Sequence, residues 1–166
     1  MPGVLVPSCG MAHRPAPGDP APDFEATATD GSRVSLASYR GRKLVLYFYP
    51  RDDTPHCTRQ ACSFRDHASE FAARGVAVLG VSTQAEASHR AFTSKHGLDF
   101  PLLADTDGKV ARAYGAMGGG GLVSKLKAAL GLADRVTFVI DEQGRVAHVI
   151  GKPDVSRHAD EVLALL

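Results

Sequence analysis

Two cysteines five residues apart, Cys57 and Cys62, are the side chains of this 166-residue chain best suited to chemistry. Thr54 and Pro55 stand just ahead of them and form an N-cap and first-turn pair, so Cys57 falls in the first turn of a predicted helix. Unpaired backbone N–H groups and the positive end of the helix dipole favour an anion there. For a thiol the anion is the reactive form, and an ordinary cysteine is mostly protonated at neutral pH. Cys57 therefore reads as a nucleophile; taken alone, a buried and inert cysteine is the plain alternative. A metal site made from Cys57, Cys62, His56 and His67 fits poorly, because C-x-x-x-x-C is not the C-x-x-C spacing of structural zinc and no second pair lies downstream. A dithiol oxidoreductase built on C-x-x-C is excluded by the same spacing.

The elements that must position these thiols follow from the hydrophobic pattern. Residues 43–49 (KLVLYFY) form a short apolar run bounded by Gly41 and Pro50, as in a buried strand. A helix follows, with Phe64, Ala68, Phe71 and Ala72 at helical spacing up to Gly75. Residues 76–81 predict a second buried strand, 85–96 a helix stopped at Gly97, and 107–114 another helix. Residues 136–140 and 146–150 are paired strands across the Glu142-Gln143-Gly144 turn, and a last helix is expected over 156–166. Ahead of all this, FEATATDGSRVSL alternates on either side of Asp30-Gly31, a hairpin signal. Strands alternating with helices imply one α/β domain over 23–166, a layered sheet with helices on both faces and antiparallel edges. Six prolines and three glycines before Asp23 predict a flexible arm over 1–22, in which Cys9 is incidental or pairs between molecules. The glycine run at 118–121 reads as a mobile surface loop ahead of a short helix; with no G-x-G-x-x-G or G-x-x-x-x-G-K-[ST] in the chain, nucleotide binding is rejected.

Composition narrows the partners. Apolar residues are 44% and charged residues 22%, as in an ordinary globular protein, and the net charge of +1 offers no electrostatic reason to expect nucleic acid or an anionic membrane. Three cysteines are too few for a disulfide scaffold and suit a reducing compartment, so the chain reads as cytoplasmic. No apolar run approaches the length of a membrane span.

The segment YFYPRDDTPHCTRQAC resembles the active-site sequence of peroxiredoxins, P-x-x-x-T-x-x-C, with Pro50, Thr54 and Cys57 in register. Cys62, five residues on, is similar to the resolving cysteine of the bacterioferritin comigratory protein or peroxiredoxin Q branch, which lies on the same helix. The likeness continues through STQAEASHRAFTSKHGLDFPLLADTDGKVARAYG to RVTFVIDEQGRV. It implies a thioredoxin-like fold with a central mixed sheet, and a thiol peroxidase acting on hydrogen peroxide and organic hydroperoxides. Cys57 would attack the peroxide and become a sulfenic acid, Cys62 would close a disulfide with it, and thioredoxin or a similar dithiol would reduce that disulfide. The resemblance further makes Thr54 a hydroxyl that hydrogen-bonds thiolate and peroxide, Arg135 the guanidinium that stabilises developing charge, and Pro50 a shield against water. Fixed donors aimed at both peroxide oxygens suit such a reaction, and arginine stays charged. No cofactor or metal is implied, and a monomer is expected, with a weak dimer as the alternative. A non-enzymatic redox-sensing or chaperone-like module on the same fold is the competing function.

Two features depart from the branch. His56 stands where glycine is usual; a protonated imidazole beside Cys57 would favour the thiolate, and a solvent-facing histidine is the plain reading. The glycine-rich stretch after Ala116 is longer than expected. Asp52 and Asp53 are expected to face solvent, since a carboxylate aimed at the sulfur would oppose thiolate formation.

Overall fold

The computed structural model describes residues 13–118 and 121–166. Its centre is β3 (Leu44–Phe48), every residue of which is buried. Successive side chains on a strand point to opposite faces, so a run this apolar must be covered on both sides. Leu44, Leu46 and Phe48 pack with Phe138, Ile140, Leu79 and Val81 on one face. Val45, Tyr47 and the adjoining Tyr49 pack on the other with Cys57, Ala61 and Phe64. The predicted mixed α/β sheet is thus present, and its order is β2-β1-β5-β4-β3-β6-β7. β4 (Ala77–Ser82) and β5 (Leu102–Ala104) run parallel to β3; β6 (Val136–Ile140) and β7 (Val146–Ile150) add an antiparallel edge. β1 (Glu25–Ala28) and β2 (Arg33–Ser35) are the expected N-terminal hairpin. Gly31 turns it with φ +84°, a conformation glycine adopts without a Cβ clash.

The helices are α1 (Pro55–Asp66), α2 (Ala68–Ala73), α3 (Glu86–His96), α4 (Lys109–Ala113), α5 (Leu122–Ala129) and α6 (His158–Leu163). The single helix expected up to Gly75 is in fact two. His67 breaks it: the imidazole Nδ1 donates to the Ser63 carbonyl at 2.8 Å, and the ring reaches Asp160 on α6 through Nε2 at 3.1 Å. A side chain that satisfies a late carbonyl of the helix competes with the next backbone N–H. Phe71 nonetheless returns to the same core, its ring 5.7 Å from that of Phe64. The helices expected over 107–114 and 156–166 are shorter, and β5 was not expected. At three residues beside Pro101, it shows no periodicity to read; pairing with β4 and β1 makes it a strand.

Residues 13–22 are the described part of the proline-rich arm, and they are tied to the β6–β7 turn. Gly18 N donates to the Val146 carbonyl at 2.8 Å, Ala21 N to that of Gly144 at 2.9 Å, and the Arg14 side chain reaches the Gly115 carbonyl. Prolines remove donors from this segment, and of the remaining N–H groups those of Gly18 and Ala21 reach the β6–β7 turn while those of Ala16 and Asp19 bond within the segment. Cys9 lies outside the described residues.

Candidate active site

Three strand ends meet where β3 stops. Parallel β3 and β4 finish side by side, and Tyr49 N, just past β3, donates to the Val81 carbonyl at 3.1 Å. β6 runs the other way with Val136 opposite Phe48, so the residue before it, Arg135, arrives one rung beyond the end of β3. The chain leaving β3 passes Pro50, turns through Asp53 at φ +57°, and enters α1 with Thr54 at the N-cap and Pro55 in the first turn. Register and turn together set Cys57 against Arg135, 78 residues apart in sequence.

Cys57 is 2% exposed. Arg135 donates from Nη2 to its Sγ at 3.1 Å and from Nη1 to Oε1 of Gln60 at 2.6 Å. One planar guanidinium is held in a fork between thiol and amide, a geometry that lysine cannot reproduce. Gln60 is fully buried, and its Nε2 has no hydrogen-bond partner among the described residues. A buried amide N–H without an acceptor is unfavourable. The Tyr47 hydroxyl on the same face of the sheet is likewise buried without a partner. Burial, reinforced by the nearby Cys57 sulfur, pushes the Tyr47 phenol well above its ordinary value, so it stays a neutral donor.

The remaining predicted residues surround this pair in different ways. Cys62 is a half-buried free thiol on the same helix. The Thr54 hydroxyl donates to the Arg51 carbonyl at 3.0 Å and does not cap the helix through its side chain. Pro50 is half-buried, its carbonyl accepting from Gln84 Nε2 at 3.3 Å. His56 is exposed to solvent, and His67 is engaged with Ser63 and Asp160.

Asp52 corrects an expectation. Of the two aspartates expected in solvent, only Asp53 is exposed, paired with Lys95 at 2.7 Å and His96 at 3.0 Å. The Asp52 side chain is 4% exposed and lies in a polar cluster. It accepts from the Tyr49 hydroxyl at 2.6 Å, Ser88 Oγ at 2.7 Å and His89 Nδ1 at 2.6 Å. His89 Nε2 donates to the Leu103 carbonyl at 3.0 Å, so both ring nitrogens face acceptors. Asp52 N donates to Gln84 Oε1 at 3.0 Å. The cluster fastens the loop ahead of α1 to α3, β4 and β5. Burial opposes the charge on Asp52, but hydrogen bonds from His89, Tyr49 and Ser88 outweigh it and hold the carboxyl below its ordinary value.

A stability prediction follows. Asp52→Asn is expected to destabilise the fold by about 3 kcal/mol at neutral pH, since an amide N–H group replaces one of the two carboxylate oxygens that accept from Tyr49, Ser88 and His89 in a buried site. A carboxyl held below its unfolded value of about 3.9 stabilises above that pH and loses the contribution as pH falls through the folded value. Urea unfolding should therefore show a large gap between wild type and variant at neutral pH that narrows below about pH 4. A gap equally wide in acid would mean that the carboxylate charge is not what matters.

Sequence reasoning missed Gln60 and His89. Gln60 carried a signal, because it interrupts the otherwise apolar stripe of Cys57, Ala61 and Phe64 on α1. His89 carried none that distinguishes it from the exposed polar residues of α3. Among the described residues, no cluster of His, Cys, Asp or Glu is placed to hold a metal ion, and no helix is long and apolar enough to cross a membrane.

Residues 17–149 match the AhpC/TSA family. Peroxiredoxin Bcp of Bacillus subtilis is 40% identical over 153 residues, covering 90% of this chain and 93% of that protein. The crystal structure of peroxidoxin BcpB from Mycobacterium tuberculosis superposes with a TM-score of 0.79 at 36% identity, over 92% of this chain and 96% of that one. The bacterioferritin comigratory protein of Xanthomonas campestris, whose trapped intermediate and ligand complexes concern its alkyl peroxide reduction activity, gives 0.76 at 33% identity over 85% and 88%. The mixed seven-stranded sheet is that of the thioredoxin-like fold, and the chain belongs to the AhpC/TSA family of peroxiredoxins, in the Bcp and peroxiredoxin Q branch of thiol peroxidases.

Proposed function

We propose that this chain reduces hydrogen peroxide and organic hydroperoxides through Cys57 and Cys62, in a reducing, cytoplasmic setting, with thioredoxin or a similar dithiol as the electron donor. The Cys57 thiolate attacks one peroxide oxygen; the O–O bond breaks, the sulfur becomes a sulfenic acid, and the leaving oxygen takes a proton to depart as water or alcohol. The Cys62 thiol displaces the sulfenic hydroxyl as water and forms the disulfide. The external dithiol then returns both cysteines to thiols and is itself oxidised. The single observation that carries this activity is Arg135 Nη2 at 3.1 Å from Cys57 Sγ. A cation fixed there favours the attacking thiolate and the negative charge spreading over both oxygens, without rearranging during reaction. The unpaired Gln60 amide beside the same guanidinium is a second donor suited to a peroxide oxygen.

Arg135→Met is expected to lower the second-order rate with peroxide by about tenfold or more, a loss of roughly 1.4 kcal/mol or more of transition-state stabilisation. Stopped-flow kinetics on the folded variant check it; an unchanged rate removes Arg135 from the chemistry. The activity itself is tested by steady-state turnover of hydrogen peroxide and an organic hydroperoxide with reduced thioredoxin. Saturable consumption of both is expected. Absence of turnover with any dithiol donor, while a thiol reagent still modifies Cys57, favours a non-enzymatic module.

A further inference from the structure

Five large apolar side chains are strongly exposed among the described residues, and four belong to one short segment: Leu122 (80%), Val123 (69%), Leu126 (63%) and Leu130 (73%), on α5 and its C-cap. At 3.6 residues per turn these four fall within about 100° of arc. Ser124 and Ala128 point the opposite way; Ser124 is buried and Ala128 packs on the core. α5 is thus amphipathic twice over, seated by its small residues and projecting its large ones into solvent. An apolar stripe of this kind on an otherwise polar surface marks something that covers it.

The charges around the stripe identify the cover. Lys125 and Lys127 flank it, about 60° beyond one edge and about 40° beyond the other. Next to α5, the open cleft that contains Val123 and Lys127 is also lined by Arg14 and Lys152. The acid in that cleft, Asp134, is already taken: it accepts from the Ser124 hydroxyl and faces Arg14 at 3.8 Å. The face is therefore basic around an apolar ridge. We propose that α5 docks on the surface of a bilayer carrying anionic headgroups, with Leu122, Val123, Leu126 and Leu130 entering the interface and Lys125 and Lys127 meeting the headgroups.

A second copy of this chain fits less well. Two α5 helices related by a twofold axis would bring like-charged lysines together, and four side chains fall far short of the roughly 800 Å² per partner of a stable interface. A bilayer accepts an isolated ridge and needs no complementary groove. That no helix among the described residues is long and apolar enough to cross a membrane, and that the net charge is +1, does not bear on this mode, since docking is decided by one local face. Arg135 lines the same cleft, so docking would turn that cleft toward the membrane. If the peroxidase activity proposed above also holds, hydroperoxides borne on lipid acyl chains would be presented to it; the docking itself does not rest on that activity.

The test is co-sedimentation of the full reduced chain with vesicles of phosphatidylcholine alone and of phosphatidylcholine mixed with phosphatidylglycerol. Wild type should pellet with the anionic vesicles at low salt, be released by high salt, and stay in the supernatant with the neutral ones. Leu126→Ser with Leu130→Ser, and separately Lys125→Glu with Lys127→Glu, should each reduce the bound fraction by about tenfold. These side chains lie at the surface, and circular dichroism checks that both variants fold. Wild type failing to pellet with anionic vesicles, or pelleting equally in the Leu126→Ser, Leu130→Ser variant, overturns the proposal. So does light scattering showing a wild-type dimer that the same variant dissociates, which would assign the face to a second copy. Peroxide turnover is measured separately, so loss of one function is not mistaken for loss of the other.

Discussion

Cys57→Ser is expected to abolish peroxide reduction, whereas Cys62→Ser should complete a single turnover and then hold a sulfenic acid on Cys57. The two thiols share a helix but not an environment. Cys57 sits in its first turn, where unpaired N–H groups and the dipole favour an anion, and Arg135 adds a cation at 3.1 Å. Cys62 lies a turn and a half further in, where the backbone donors are already satisfied by the helix. Burial of Cys57 has a second effect: its sulfenic acid is sheltered from other thiols, so removal of the partner thiol should leave it long-lived. Trapping with a sulfenic-acid reagent followed by mass spectrometry locates the modified residue. A stable sulfenic acid on Cys62 after a single turnover of the Cys57→Ser protein, with the Cys62→Ser protein inactive, would reverse the two assignments.

The second large effect concerns the helix. Both cysteines lie inside α1, and on a regular helix residues five apart are turned by about 140° with Cα atoms about 8.7 Å apart. Disulfides rarely span more than about 7 Å between Cα atoms, so the bond cannot form while both residues stay helical. Tertiary contacts indicate which part yields. The later turns are clamped to α6: Ala159 N donates to Ser63 Oγ at 3.0 Å, and His67 pairs with Asp160. Ahead of Ser63, Cys57 and Ala61 pack on the sheet and Arg135 bonds to Cys57 and Gln60, so oxidation of Cys57 acts directly on contacts that hold this part of α1. Amide hydrogen exchange between Thr54 and Arg65 should thus be much faster in the disulfide form than in the reduced protein, most of all before Ser63. Slow unwinding would leave the sulfenic acid open to a second peroxide. Equal protection in both forms, with the disulfide confirmed by mass spectrometry, rules this switch out.

Much of the molecule was legible without coordinates because its signals are local. The apolar run that became β3 and the strands at 136–140 and 146–150 could be read from periodicity; so could the hairpin turn at Gly31 and the placement of Cys57 in a first helical turn. Where local signals were short or were overridden by contacts, expectation and structure part. β5 is a strand because β1 and β4 pair with it, and the helix after Cys57 ends early because His67 finds Ser63 and Asp160.

The chain's own pattern therefore assigns residues to shared faces and marks those that can carry charge or react. What those faces meet was decided by tertiary structure. Asp52 and Asp53 are chemically identical neighbours, yet one is buried against His89 and the other exposed, because the backbone turns through Asp53 at positive φ and sends the two side chains apart. Arg135 reaches Cys57 and Gln60 because the β3–β6 register delivers it to the end of the sheet. The leucines of α5 have the spacing of a core-facing helix and point outward instead, since its small residues are the ones seated on the core. Periodicity along a chain fixes relations within an element; only packing between elements distant in sequence assigns each face its partner.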